Sequence, residues 1–274
     1  MSHYSRIRRA IDKRRDFPPE FPPLGKRPAK FDSRNIRFSD ILRVPLKKLP
    51  PIPDEYSIDV HLPNVMPTPM FANDQWGCCV IAARAHQTLR LEDFEQLAIL
   101  DITDDDVLRE YWDEQPALCK CFNPTPDKGL VLLDSLKSWR NDGWQAASKL
   151  YNIYAFAEID ALESSEVRAA IYLLMGAQCG ILVPQSALDQ FKAGQVWEVV
   201  PGSPIKGGHG IALVAYSSLG PCCVTWGKLQ WMTWNFFETY CDEVYGIVDN
   251  RDEFLADSPV DVEKLDALLR EITK

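Results

Sequence analysis

The spacing of apolar residues changes character near residue 176, and this limits the fold more than any other feature. Before that point the period is helical. Residues 79–92, CVIAARAHQTLRLE, are rich in the helix formers Ala and Leu. Their first turns are nearly all apolar, which predicts a buried helix. Thr103 and Asp106 form a capping-box pair for a helix through Trp112. Leu130, Leu133, Leu136 and Trp139 recur at helical spacing within 128–142, and Gly143 stands just past the end. Ser164 and Ser165 precede EVRAAIYLLM, which Gly176 stops. From there the runs are short and strand-like: QCGILVP (178–184), VWEVV (196–200), GIALVAY (210–216), CCVTW (222–226) and EVYGIV (243–248). One short helix is expected near TWNFFETYC. Helices first and strands later predict an α+β fold, with a helical lobe, a sheet lobe and a cleft at their junction.

The 274 residues contain no run of about 18 apolar residues, so no membrane span or membrane partner is expected. The opening MSHYSRIRRAIDKRRDF lacks the apolar core of a secretory signal, and a cytoplasmic setting is the simplest reading. Eight cysteines without an export signal then read as free thiols. Cys119-x-Cys121 does not have the spacing of zinc motifs, and neither P-loop, GxGxxG nor HExxH occurs, so no metal ligand set and no cofactor is expected. Asp104, Asp105 and Asp106 read as the charge run of a helix N-terminus.

Charge is unevenly placed. Residues 1–50 hold 14 Lys/Arg against 5 Asp/Glu, and the rest hold 16 against 34. The acidic body argues against nucleic acid as a partner. Residues 1–53 are also Pro-rich and are expected to form an extended or disordered arm that buries little. Such an arm suits an acidic partner or the chain's own body. Residues 54–250 would form the main domain and 251–274 a helical tail.

The chemistry centres on NDQWGCCVIAARAH, residues 73–86. A loop runs into a helix that opens at Cys79. The partial positive charge of a helix N-terminus favours a thiolate, and its free N–H groups suit an oxyanion. Gly77 lets substrate approach the loop. A cysteine nucleophile needs a base, and the chain offers only His3, His61, His86 and His209. His3 lies in the arm. His86 is seven residues along the same helix, about 10 Å away. His61 precedes the loop and its position is undetermined. His209 opens an apolar strand after Gly207 and Gly208, whose small size leaves room for a substrate.

The order of these segments resembles that of papain-like cysteine peptidases. PMFANDQWGCCVIA is similar to the family's loop into its nucleophile helix, with Pro69 ten residues before Cys79. EVRAAIYLLMGAQCGILVP with FKAGQVWEVV, then GGHGIALVAY, then VTWGKLQWMTW are similar to the segments around the family's histidine and its Asn-Ser-Trp-Gly. The likeness extends over about residues 55–248, and the loop also resembles that of uncharacterised phage and bacterial proteins. It implies an antiparallel sheet lobe facing the nucleophile-helix lobe, with Cys79 as nucleophile and His209 as general base. Asn73 stands at the family's oxyanion amide, with Gln75 as rival donor. Gln75, Gly77, Gly208 and Trp226 would face the substrate, and Trp226 would shield the histidine's partner. The family's orienting asparagine is absent: one register places Val224 there, the other Thr225. Adjacent helix residues point about 100° apart, so only one of Cys78 and Cys79 can face His209, and the family register favours Cys79.

The expected function is a thiol-dependent hydrolase acting on a peptide or amide bond. Two other readings compete with it. One is an inactive papain-like fold used as a binding or structural module, phage or mobile-element derived. The other is nucleic-acid binding through residues 1–50, which would be salt-dependent and lost on removing the arm.

Overall fold

The computed structural model describes residues 21–115, 127–251 and 258–272; His3, Cys119 and Cys121 lie outside them. The helical lobe comprises β1 (Tyr56–Ser57), α1 (Ile58–His61), α2 (Cys79–Gln96), α3 (Asp104–Asp113), α4 (Leu132–Asn141) and the hairpin β2 (Trp144–Ala146) and β3 (Lys149–Tyr151). The sheet lobe contains β4 (Ala155–Glu158), α5 (Ser164–Leu173), β5 (Ala177–Pro184), α6 (Gln185–Lys192), β6 (Ile205–Tyr216), β7 (Pro221–Thr225), β8 (Lys228–Trp231), α7 (Trp234–Tyr240), β9 (Cys241–Val248) and α8 (Val262–Ile272). Its antiparallel sheet runs β4-β9-β5-β6-β7-β8, with β1 added to the end of β6. Among the described residues no helix is long and apolar enough to cross a membrane.

The sheet divides two cores because side chains alternate across a strand. On β6, Ala212 and Val214 pack with α2, while Ile211 and Leu213 pack with α5 and the aromatic group Trp197, Trp226 and Phe236. Helix α2 is the spine of the first core. It is buried from Cys79 to Asp93, so its polar side chains must find partners inside. Arg84 donates to Glu110 at 2.7 Å, Glu114 at 2.5 Å, and the Ser135 carbonyl and hydroxyl at 2.6 and 2.7 Å. Arg90 donates to both Asp59 oxygens. The Arg84 knot ties α2 to α3 and α4. Arg84→Leu leaves two largely buried carboxylates without their cation, and should lower unfolding stability by about 3–5 kcal/mol. The check is the urea midpoint at unchanged slope; a loss below about 1 kcal/mol would mean the carboxylates find another partner.

The α3 capping box forms as expected, with Thr103 accepting from the Asp106 N–H and Asp106 from the Thr103 N–H. Two local expectations need correction, and one helix was not foreseen. Residues 196–200 form no strand: Trp197 makes one bridge to Met232 before the turn at Pro201 and Gly202. The preceding QSALDQFK, too short for a clear period, is α6. Helix α5 begins at Ser164 itself, with Glu163 as N-cap and no side-chain cap. Residues 31–53 bury more than their proline content suggested. Phe38 and Ile41 are fully enclosed in the second core, and Asp261 N–H bonds the Ile41 carbonyl at 2.7 Å, just ahead of α8. This stretch forms only two short 3-10 helices, Phe38–Ile41 and Leu46–Lys48, yet its apolar residues still found the core.

Candidate active site

Helix α2 opens at Cys79, and Cys78, its N-cap, points away: the Cys78 thiol donates to the Phe71 carbonyl at 3.4 Å. Cys79 Sγ instead meets β6, accepting the Gly210 N–H at 3.3 Å. That contact places the sulfur within about 6 Å of the His209 Cα by backbone dimensions alone. His209 Nε2 lies 2.6 Å from Thr225 Oγ1. Of the two registers, it is thus Thr225 that meets the imidazole, while Val224 is turned into the first core. His209 Nδ1 is buried without a hydrogen-bond partner. With Nε2–H donated to the hydroxyl, Nδ1 carries the lone pair a base requires.

Trp226 stacks on His209, ring centroids 4.2 Å apart and 24° from parallel. It belongs to the two-residue turn between β7 and β8. Trp226 and Gly227 both have positive φ, 44° and 79°, the conformation of a type I′ hairpin. A tryptophan there carries backbone strain of about 1–3 kcal/mol. Its stack on His209 and edge contacts with Phe191 and Trp197 hold it in place.

Ahead of Cys79, Asn73 is buried and its side-chain amide donates to the Trp76 carbonyl at 3.0 Å. This closes the loop and leaves one of its two N–H groups for other use. Gln75 is buried in the same turn, its N–H bonded to the Ala72 carbonyl. Gly77 N–H donates to Asp127, which also takes the Tyr111 hydroxyl.

The groove over this pair is filled. Residues 24–27 run through it as extended chain and pair with both walls. Lys26 N–H donates to the Gly208 carbonyl at 3.0 Å on the sheet side. Arg27 N–H donates to the Leu130 carbonyl at 2.7 Å, and Leu130 N–H to the Gly25 carbonyl at 2.8 Å, on the helical side. The Gly25 N–H points at the Cys79 sulfur. Gly25 is needed for this approach: a Cβ on it would stand 1.8 Å from the Gly77 carbonyl oxygen. The Lys26 side chain is fully enclosed, 2.7 Å from Asp242 and 2.8 Å from Glu243 on β9. Its methylenes lie over Gly180, where a Cβ would come within 2.0 Å. Burial works against the Lys26 charge, but Glu243 and Asp242 outweigh it and raise its pKa.

Burial also governs the reacting pair. Cys79 and His209 are both fully enclosed. Loss of water raises the Cys79 pKa, although the N–H groups of Gly210 and Gly25 and the Lys26 charge pull the other way. It lowers His209 to about 3. The thiolate expected from the helix N-terminus is therefore outweighed by desolvation, and with the groove filled the pair is neutral thiol and neutral imidazole. Gly25, Lys26, Asp127, Asp242 and Glu243 were not singled out in the sequence, and Leu130, expected in a helix, lies ahead of α4 and bridges to Lys26. The one signal was local: Gly25-Lys26 sits between Pro23 and Pro28, a stretch barred from helix.

The sequence matches no family profile and no curated protein. Solved structures do match. Xylellain, a cysteine protease from Xylella fastidiosa, aligns with a TM-score of 0.65 at 13% identity, over 84% of this chain and 97% of that one. ProCathepsin B S9 from Trypanosoma congolense gives 0.54 at 12%, over 83% and 86%. The Carica candamarcensis cysteine protease CMS1MS2, solved in complex with E-64, gives 0.52 at 12%, over 73% and 100%. A helical lobe built on the Cys79 helix, set against an antiparallel sheet that delivers His209, is thus the papain-like cysteine-protease fold.

Proposed function

We propose that the chain is a thiol-dependent peptidase held latent by its own residues 24–27. The observation that carries this reading is the meeting of Cys79 with the His209 segment at the bottom of a groove that already binds extended polypeptide on both walls. With the groove open, water reaches the pair and desolvation no longer holds it neutral. His209 Nδ1 takes the Cys79 proton, and the sulfur attacks the substrate carbonyl. The oxyanion is met by N–H groups at the start of α2 and by the amide side chain of Asn73, with Gln75 as its rival. Collapse returns the proton from His209 to the leaving amine, and water then releases the acyl group from sulfur. Thr225 fixes the imidazole tautomer, and Trp226 keeps water from that bond.

The bound segment also suggests the preferred substrate. Lys26 leaves behind an enclosed pocket floored by Gly180 and lined by Asp242 and Glu243, which suits a Lys or Arg side chain. The test uses the Gly25→Val chain, in which the segment cannot seat. E-64 should label one thiol, lost in Cys79→Ala and kept in Cys78→Ala. Peptides presenting Lys to this pocket should be cleaved about 10-fold or more faster than Leu peptides, and Asp242→Asn with Glu243→Gln should remove the difference. Absence of an E-64 adduct in the opened chain would favour the second reading, a non-catalytic papain-like module. The neutral buried pair and the missing asparagine are what speak for that reading.

A further inference from the structure

A second cluster of acidic side chains lies far from the groove, at the other end of α2. Glu92 and Glu95, one turn apart, share a face of its last turns, and Asp249 follows directly on β9. One carboxylate oxygen from each lies within 4.8 Å of the others. This is an unfavourable place for three negative charges. It is the negative end of a helix dipole, the last turn carries no basic residue, and none of the three forms an ion pair among the described residues. Their polar contacts are weak neutralisers: Gln96 donates to Glu92, and Asn250 to Glu95 at 3.5 Å. Charges at about 4 Å repel by several kcal/mol near a protein surface.

A second observation points into the same cavity, of about 580 Å³. Tyr151 lines it, is only 8% exposed, and has a hydroxyl with no hydrogen-bond partner. That hydroxyl is close enough to Glu92 to feel its charge. Arg140, Lys149 and Arg251 line the same cavity, and the Lys149 charge reaches Glu92, yet none of them forms an ion pair with the three carboxylates among the described residues. An unpartnered phenol beside three clustered carboxylates is the inventory of a site with its centre missing. The dimension fits as well. Two oxygens on opposite sides of a Ca²⁺ ion stand about 4.6–5.2 Å apart, so all three can reach one ion. The donors are oxygens only, which suits a hard cation.

We propose that Glu92, Glu95 and Asp249 form a Ca²⁺ site, with Tyr151 holding a water on the ion. The ion would clamp the end of the nucleophile helix to the end of β9, joining the helical lobe to the sheet. Tyr154 N–H, bonded to the Asp249 carbonyl at 2.9 Å, already fixes the third ligand's backbone.

The test is calorimetric titration of CaCl₂ into the full-length, EDTA-treated chain at pH 7.5, with thermal unfolding read in parallel. One saturable site is expected, with MgCl₂ binding at least about 10-fold more weakly because it demands a smaller octahedral cage. Glu95→Gln, at an exposed position, should weaken Ca²⁺ at least about 10-fold. Glu238→Gln, exposed elsewhere, should not. At saturation the unfolding midpoint should rise by roughly 5–10 °C in wild type and by far less in Glu95→Gln. No saturable heat up to millimolar Ca²⁺, or equal affinity in Glu95→Gln, would overturn the site and leave the cluster neutralised by protons. Binding is read without any peptidase assay, so it stands apart from the proposed activity.

Discussion

Removing residues 1–30, or seating a valine at Gly25 in the full chain, should raise the rate of Cys79 alkylation by iodoacetamide at pH 7 about 100-fold. The argument has two parts. A free thiol near pKa 8.5 is a few per cent thiolate at neutral pH, and the closed groove holds Cys79 below that by denying it water. The groove also denies access, since the sulfur is fully enclosed with Gly25 above it. Opening it reverses both effects, while the Gly210 N–H and the helix N-terminus remain. The sign with pH follows: a lowered thiol pKa moves the alkylation profile to lower pH in the opened chain. The readout is the second-order rate at Cys79 by peptide mass spectrometry, with Cys78 as internal reference. Equal rates in closed and opened chains would mean that residues 24–27 do not lock the site.

In the opened chain, His209→Ala should lower kcat/KM for a lysine-bearing peptide by about 10³–10⁴-fold, because it removes the group proposed as base toward Cys79 and as acid for the leaving group. Thr225→Val should cost far less, about 10-fold. It leaves the imidazole present and stacked on Trp226, and removes only the hydroxyl that fixes Nε2. A structural role alone would change protein yield but not the shape of the pH profile. An orienting role predicts that Thr225→Val alters the acid limb of kcat/KM and that Thr225→Asn, whose carbonyl can accept the same N–H, recovers the loss. If Thr225→Val matches wild type, the stack on Trp226 is sufficient to aim the ring.

The places of Cys79 and His209 in the fold were legible because each sits at a junction that local rules detect. Cys79 begins a helix after a glycine loop, and His209 begins a strand after two glycines. The choice between Val224 and Thr225 was not legible, because it turns on one residue of register between β6 and β7, where a bulge lies between Leu213 and Ala215. That the basic arm could lie on the chain's own body was legible from charge, but which of its residues would enter the groove was not. Gly25 meets Gly77 and Leu130, and Lys26 meets Asp242, across more than 50 to 200 residues of chain, and nothing in a proline-rich stretch announces which groove it will enter. The Glu92, Glu95 and Asp249 cluster was hidden likewise, since its members lie on two elements that only the sheet brings together.

The two faces of β6 have a consequence for errors in folding. His209 continues the row of Ile211 and Leu213, and Gly210 the row of Ala212 and Val214. A slide of the strand by a single residue would exchange those rows, putting aliphatic bulk on the wrong side and breaking the stack of His209 on Trp226 in the same motion. Misaligned molecules are thus unstable and lose the setting of His209, so the greasy stripe along this strand decides which side its first imidazole takes.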